Sequence, residues 1–367
     1  MHIEKLSLIN FKNYEEVSLA FSDKINCLVG LNGSGKTNIL DAIHYLSMTK
    51  SAHNSIDSQN IKFGETYFSI KGLFANGKDR NEVVCYFQEG TKKSFKVNKN
   101  DYDKLSEHIG RFPVVLITPY DTDIIREGSE TRRRFIDTII SQIDINYLRH
   151  LINYNNNLKQ RNSALKTFNK TKRINYDLLD NYDNVLIELG NKIYERRQEF
   201  SEDLKSVFLA KYAFLSDELE RVDIQYSSNL SSDDFRGDLK GAVSKDVALE
   251  RSTLGIHKDD FKFLIGNNPL KKFGSQGQQK SFSIALKLSH FQIIDESMKY
   301  KPILLLDDIF DKLDGNRIEK LLNMVIEEQF GQVFITDARE ERTREMLNSL
   351  NISAAYYKID AGQLSAV

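Results

Sequence analysis

The sequence predicts an α/β fold whose core is interrupted by a long helical segment. Strand-like runs occur early in the chain, as at Ile3 to Phe11, and return near its end, as at Ile303 to Leu306. Between them, residues 120–268 contain no proline, which would break helices, and many apolar residues recur there at helical spacing. This order of strands, helices and strands again indicates one α/β core with a helical insertion.

The composition is that of an ordinary globular protein, because 40% of the 367 residues are hydrophobic and 28% are charged. No apolar run approaches the roughly eighteen residues of a membrane span, and the N-terminus lacks the pattern of a signal peptide. We therefore expect a cytoplasmic protein with no membrane partner. The net charge is only -1, so any surface for nucleic acid must be local. Cys27 and Cys85 lie in separate strand-like runs and are expected to be buried and unbridged.

The first chemical motif is a glycine-rich segment, Gly30 to Thr37, which matches G-x-x-x-x-G-K-[ST] in full. It follows a short apolar run and opens a helix, and this context favours phosphate binding over a chance glycine-rich turn. Backbone N–H groups of such a loop face phosphate oxygens, Lys36 supplies charge at the β- and γ-phosphates, and the Thr37 hydroxyl is a Mg²⁺ ligand. The predicted ATP-binding residues here are Gly30, Leu31, Asn32, Gly33, Ser34, Gly35, Lys36, Thr37 and Asn38.

A second motif follows the apolar run Ile303 to Leu306, which ends in Asp307 and Asp308. A buried strand that ends in a carboxylate is the Walker B arrangement, so Asp307 is predicted to bind Mg²⁺ and Asp308 to orient or activate the attacking water. The alternative is a core strand with an incidental polar end. Lys36 and Asp307 are 271 positions apart, too far for a compact P-loop fold, so a domain is inserted or the core is split around a helical arm.

A third motif, Gly274 to Gln278, precedes a helix-forming run and lies about thirty residues before the Walker B strand. ABC-type ATPases carry a Ser-x-Gly-Gln signature at this place, and its N–H groups bind the γ-phosphate held by the opposite subunit. Ser275, Gly277 and Gln278 are therefore predicted to complete an ATP site in trans, in an ATP-dependent homodimer. A simple loop with a helix N-cap is the alternative.

Together with these motifs, several segments resemble the RecF family over residues 3 to about 340. They are Leu6 to Tyr14, Thr118-Pro119 with Arg132 to Asp137, Leu158 to Leu165, and Gly255 to Lys258. The resemblance implies an SMC-like, ABC-type ATPase head that uses ATP and Mg²⁺ and dimerises with ATP. It also implies binding to double-stranded and gapped DNA, and partnership with RecR in loading RecA. Lys12 stands where the family often has Arg, and so joins the predicted ATP-binding residues.

The sequence departs from transporter-type ABC ATPases at several positions. Asp308 replaces the usual Glu, Asp311 replaces the usual Ser of the D-loop, and Thr336 stands where transporters carry a switch His. No glutamine near Thr118 fits the Q-loop position. The shorter Asp308 side chain has less reach toward water, so we expect slow hydrolysis without loss of nucleotide binding.

Residues 145–173 contain seven basic residues and no acidic one. Such a local positive patch suits phosphate neutralisation, although a solvated helix face is the alternative. The seven are Arg149, Lys159, Arg161, Lys166, Lys170, Lys172 and Arg173, and we take all except Lys166 as DNA candidates. Tyr147, Tyr154 and Phe168 are interleaved and are candidates for stacking on single strands. Arg132 to Arg134 either contact DNA or form salt bridges that join the arm to the head.

The predicted architecture is an ATPase head of residues 1–118 and 300–367, a helical arm of residues 119–250, and a segment of residues 251–299 with a hairpin and the signature. The predicted function is that of an ATP-dependent, DNA-binding recombination mediator with slow ATP hydrolysis. The alternatives are a transporter subunit and a nuclease of the overcoming-lysogenisation-defect type. The helical insertion disfavours the first, and the lack of an acidic metal-binding domain after the ATPase disfavours the second.

Overall fold

The computed structural model describes residues 1–54, 56–216, 220–298, 300–310, 315–326, 330–360 and 363–366. The chain divides into two compact units, which we call unit 1 (Met1–Asp121 with Ile284–Val367) and unit 2 (Thr122–Ser283). The boundary after Ser283 falls inside the segment 251–299 that the sequence set apart as a third lobe, so that lobe division stays a prediction.

Within the described ranges the chain forms fifteen strands and ten α-helices. The strands are β1 His2–Phe11, β2 Tyr14–Ala20, β3 Ile25–Val29, β4 Tyr67–Asn76, β5 Asp79–Gln88, β6 Ser94–Val97, β7 Asn100–Asp101, β8 Val114–Ile117, β9 Val222–Ser227, β10 Asp260–Ile265, β11 Asn268–Pro269, β12 Ile303–Leu306, β13 Val333–Asp337, β14 Ala355–Asp360 and β15 Gln363–Ala366. The helices are α1 Lys36–Met48, α2 Asp123–Arg126, α3 Ser129–Ile143, α4 Ile145–Thr171, α5 Tyr176–Ser216, α6 Phe235–Leu249, α7 Leu270–Phe273, α8 Gln276–Ser297, α9 Gly315–Ile326 and α10 Glu340–Ser349.

Unit 1 contains two six-stranded sheets. One has the order β15-β14-β3-β13-β12-β8, in which all neighbours are parallel except the edge strand β15. Strands β3, β8, β12 and β13 are buried along their whole length, which suits a parallel sheet covered on both faces. This topology places β13 between β3 and β12, the strands that lead into the two Walker motifs.

The second sheet of unit 1 is antiparallel, with the order β2-β1-β4-β5-β6-β7. Helix α1 contacts strands of both sheets. Its buried residues Ile39, Leu40, Ile43 and Leu46 belong to one hydrophobic core with residues of both sheets. The helix that begins at the phosphate loop is therefore packed into the core along its length. Cys27 and Cys85 are buried, free thiols, which confirms the expectation for them.

Unit 2 is built around an antiparallel pair of long helices, α4 and α5, joined by residues 172–175. Helix α5 has 41 residues and is therefore about 60 Å long. The end of this pair is stabilised against α6 by a small apolar cluster of Leu165, Phe168, Leu179 and Val243. A three-stranded antiparallel sheet, β11-β10-β9, completes the unit. Every helix in the described part of the chain is too short or too polar to cross a membrane.

Candidate functional site

The phosphate loop connects β3 to α1, and its backbone requires glycine. Gly30, Gly33 and Gly35 have φ of 150°, 81° and 116°, a region that L side chains rarely adopt. A Cβ at Gly30 would lie 2.2 Å from the carbonyl oxygen of Ile359, and one at Gly35 would lie 2.6 Å from the Tyr14 hydroxyl. The loop can therefore take this tight path only because these positions carry no side chain.

Asn13 and Tyr14, at the turn between β1 and β2, form hydrogen bonds to the phosphate loop. The Asn13 amide donates to the Ser34 carbonyl (3.1 Å), and the Tyr14 hydroxyl donates to the Gly35 carbonyl (3.1 Å). The Asn38 amide donates to Asn13 Oδ1 (2.7 Å). Burial raises the pKa of Tyr14, so its hydroxyl stays a donor at neutral pH. The motif analysis missed both supports, although they end the family-like segment Leu6 to Tyr14.

Lys36, the first residue of α1, is buried and directs its ammonium into the loop. Its Nζ donates to the carbonyl oxygens of Gly30 (2.6 Å) and Leu31 (2.9 Å). Burial lowers the pKa of Lys36, and the carboxylates of Asp308, then Asp307 and then Asp337, raise it in part. A positive charge thus lies close to the carboxylates that follow β12, as ATP chemistry requires.

Thr37 and Asp307 meet although they are 270 positions apart in the chain. The Thr37 hydroxyl lies 2.9 Å and 3.1 Å from the two carboxylate oxygens of Asp307. A hydroxyl and a carboxylate are hard oxygen donors that suit Mg²⁺, which is usually held by one or two carboxylates together with substrate phosphates. The described residues contain no group of three or more acidic, histidine or cysteine side chains that could hold a metal ion.

Thr336, at the end of β13, joins the two aspartates of the second motif. Its hydroxyl donates to Asp307 Oδ1 (2.8 Å) and accepts from the backbone N–H of Asp308 (2.8 Å). Asp308 itself has φ 47°, in the left-handed region that non-glycine residues avoid and that occurs often at functional sites. The residue first noted only for replacing a switch His therefore organises the Walker B carboxylates.

One cleft in unit 1 brings most of the predicted ATP-site residues together. It is lined by Asn32, Gly33, Gly35, Lys36, Thr37, Asn38, Asp307, Asp308 and Thr336. Gly30, Leu31 and Ser34 lie in the same loop. Lys12 is not among the lining residues, because its Nζ pairs at 2.6 Å with the buried carboxylate of Asp41 on α1. The pair ties Lys12 to α1, and a contact of Lys12 with ATP stays a prediction.

The signature segment lies in unit 2, where Ser275 caps helix α8. The Ser275 N–H donates to Gln278 Oε1 (2.6 Å), and the Gln278 N–H donates to Ser275 Oγ (3.2 Å). This reciprocal pair is a capping box. The predicted phosphate donor at the Ser275 backbone is thus already satisfied, as is the Gln278 N–H, which leaves the Ser275 hydroxyl hydrogen and the N–H groups of Gln276 and Gly277. The D-loop position, Asp311 to Asp314, lies outside the described residues.

The basic stretch of residues 145–173 forms α4 and the turn after it, and all but one of its predicted DNA candidates are exposed. Arg149, Lys159, Lys170, Lys172 and Arg173 are exposed, as is Lys166. Arg161 is fully buried and pairs with Asp183 (2.6 Å) and Asp246 (2.6 Å), so its prediction as a DNA contact is wrong.

The aromatic residues of α4 are buried as well. Tyr147, Tyr154 and Phe168 are at most 7% exposed, so they are core residues and do not offer rings for stacking on bases. Together with Arg161 they recur every seven positions, which places all four on one face of the helix.

The arginines at the start of α3 have structural partners in unit 2. Arg132 pairs with Asp260 (2.8 Å), and Arg133 donates to the Asp259 carbonyl (2.5 Å). Arg134 is exposed and pairs with Glu130 (3.1 Å). Of the two alternatives for this segment, salt bridges account for Arg132, which joins α3 to β10.

The chain matches known proteins over nearly its whole length. The profile of the RecF/RecN/SMC N terminal domain matches residues 2–359. The DNA replication and repair protein RecF of Cytophaga hutchinsonii is 48% identical over 364 residues, which cover 99% of this chain and 96% of that protein. RecF of Flavobacterium johnsoniae is 47% identical over 349 residues, which cover 95% of this chain and 97% of that protein.

Solved structures agree with this relationship. A structure of the recombination mediator protein RecF-ATP in the RecFOR pathway superposes with a TM-score of 0.90 at 31% identity, and covers 100% of this chain and 97% of that chain. An SMC head bound to the C-winged helix domain of ScpA superposes with a TM-score of 0.56 at 17% identity, with 100% and 97% covered, which shows a shared fold alone. The chain therefore belongs to the RecF family and has the SMC-like, ABC-type ATPase head fold that its motifs predicted.

Proposed function

We propose that this chain is a recombination mediator that binds ATP with Mg²⁺ in the unit 1 cleft and dimerises in response. The observation that carries the proposal is the convergence of Lys36, Thr37, Asp307 and Asp308 on one cleft. The RecF structure named with ATP, which this chain resembles over its whole length, supports the same ligand. In the dimer, the Ser275 segment of one copy would contact the γ-phosphate bound by the other.

The residues of the cleft divide the chemistry among them. Lys36 would place its charge at the β- and γ-phosphates, and Thr37 and Asp307 would hold Mg²⁺. Bound Mg²⁺ supplies neutralisation of phosphate charge. Asp308 would accept a hydrogen bond from the attacking water. Thr336 would orient Asp308, because its hydroxyl accepts from the Asp308 backbone N–H. Because Asp is one methylene shorter than Glu, hydrolysis is expected to be slow and to serve as a release step.

The partner surface proposed for DNA is the exposed basic face of α4. The six exposed basic residues at positions 149–173 lie on one helix and its following turn, without an acidic residue between them. Such a surface neutralises backbone phosphates without reading sequence. We further propose that the chain binds duplex and gapped DNA, acts with RecR in loading RecA, and is located in the cytoplasm. These proposals rest on its membership of the RecF family.

The test is sedimentation velocity of the full-length chain with and without ATP and Mg²⁺, together with an ATPase assay. Wild type should shift from monomer to dimer on addition of ATP. Lys36→Ala should lose tight ATP binding and remain monomeric, whereas Asp308→Asn should bind ATP, dimerise and stop turnover. A wild-type chain that stays monomeric at saturating ATP would refute the switch, and unimpaired ATP binding by Lys36→Ala would refute the site.

A further inference from the structure

The signature segment contains an amide whose two ends are both engaged. The Oε1 atom of Gln278 accepts from the Ser275 N–H, and its Nε2 donates to Glu220 Oε1 at 2.7 Å. An amide can present either its oxygen or its nitrogen to a neighbour, but an ionised carboxylate can only accept. Glu220 therefore dictates which end of Gln278 faces it, and leaves the oxygen to complete the capping box at Ser275.

Glu220 is in turn held from a second side. Its Oε2 accepts a hydrogen bond from the hydroxyl of Tyr212, which is buried in the last turns of α5. The ring of Phe282, on the signature helix α8, lies 4.4 Å from that of Phe208 and 5.9 Å from that of Tyr212. The start of α8 thus rests on the end of the long arm helix through an aromatic cluster and a carboxylate.

We propose that Glu220 is a positioning residue for the ATP-dependent dimer, which orients Gln278 and so shapes the Ser275 segment before the second subunit arrives. This inference rests on the proposed function, because it concerns the segment that would meet the partner's γ-phosphate. Ser275 is exposed, so a partner can reach it. With the Ser275 and Gln278 N–H groups used in the capping box, the segment keeps the Ser275 hydroxyl hydrogen and the N–H groups of Gln276 and Gly277 for phosphate.

A preorganised donor set lowers the cost of association, because the loop need not be ordered when the interface forms. Loss of the Glu220 carboxylate removes a charge-assisted acceptor and lets the Gln278 side chain turn away from Ser275. The cleft in unit 1 contains no atom of this network, so nucleotide binding by a single chain should not depend on it.

The test compares Glu220→Ala with wild type as full-length chains. ATP binding by the monomer should be unchanged, whereas ATP-dependent dimerisation in sedimentation velocity should weaken about tenfold or more. Glu195→Ala, which removes an exposed carboxylate from helix α5, should dimerise as wild type does. The double variant Glu220→Ala/Gln278→Ala should dimerise no more weakly than Gln278→Ala alone, because both changes break one contact.

Dimerisation of Glu220→Ala at wild-type strength would overturn the proposal, and so would additive losses in the double variant. If Glu220→Ala fails to fold, Glu220→Gln takes its place. A neutral amide is a weaker acceptor and can face Gln278 with either end, so dimerisation should weaken about threefold, and no change would count against the proposal. The role of Glu220 alone fails if wild type and Glu220→Ala both dimerise at the same strength while Ser275→Arg stays monomeric. If wild type does not dimerise, the proposed function itself fails.

Discussion

Replacing Arg161 by Met separates a structural arginine from a DNA contact on the same helix. The Arg161 guanidinium is fully buried, and donates to Asp183 (2.6 Å), Asp246 (2.6 Å) and the Ser252 hydroxyl (2.8 Å). Met fills much of the space but leaves two buried carboxylates without their cation. Removing one partner of a buried ion pair costs about 3–5 kcal/mol, so the variant should lose about that much free energy of unfolding.

The pH dependence of this loss has a definite sign. Burial raises the pKa of Asp183, and Arg161 lowers it in part. Without Arg161 the pKa of Asp183 rises further, so this acid binds a proton more readily in the folded than in the unfolded chain. A group whose pKa is raised in this way destabilises the folded chain least at low pH and most at pH values above its folded pKa. The deficit of Arg161→Met should therefore grow as the pH rises from about 4 toward 7.

The assay is urea unfolding at several pH values, with Lys166→Met as matched control. Lys166 is exposed on the same helix, so its replacement should leave stability within about 0.5 kcal/mol of wild type. Wild-type stability for Arg161→Met, together with weakened DNA binding, would show that Arg161 is a DNA contact and that its buried pairing is not the dominant state.

Three further predictions concern the ATP site and the DNA surface. Ser275→Arg should bind ATP as a monomer but not dimerise, and its mixture with Lys36→Ala should recover at most one working site per mixed dimer in an ATPase assay; full wild-type dimerisation by Ser275→Arg would refute the composite site. Thr336→Val should leave ATP binding intact and slow hydrolysis by roughly tenfold or more, since the Asp308 N–H and Asp307 each lose a hydrogen bond; unchanged turnover would remove Thr336 from the site. Neutralising the exposed basic residues of α4 should lower the steepness of log K against log salt for duplex DNA by about 0.9 per lost phosphate contact. An unchanged slope would show that this face does not contact DNA.

Local motifs predicted which residues line the unit 1 cleft, because they encode chemistry that only a few residue types perform. The loop from Gly30 to Thr37 carries its own geometric requirement for glycine, and Asp307 follows an unmistakable buried strand. The long spacing between them predicted the helical insertion for a simple reason, since a compact P-loop fold cannot accommodate it. Each of the two motifs is set within a few residues of chain, so the sequence reports them directly.

Features that depend on distant contacts could not be predicted in the same way. Nothing near Glu220 in sequence announces that it meets Gln278, 58 positions away. In sequence, Thr336 showed only that a switch His is replaced. Its contacts with Asp307 and Asp308 depend on the strand order that places β13 between β3 and β12. The role of Arg161 was within reach, since it shares a seven-residue repeat with Tyr147, Tyr154 and Phe168. The number of basic residues in positions 145–173 does not reveal that repeat.

The order of strands in the parallel sheet has a consequence for how the protein is made. The described neighbours of β3 are β13 and β14, which lie far later in the chain, at residues 333–360. During synthesis from the N-terminus, the phosphate loop leaves the ribosome long before residues 333–360, so the strand that supports it finds these pairing partners only after they have been made. A stalled or truncated nascent chain therefore carries the nucleotide motif without the sheet that shapes it.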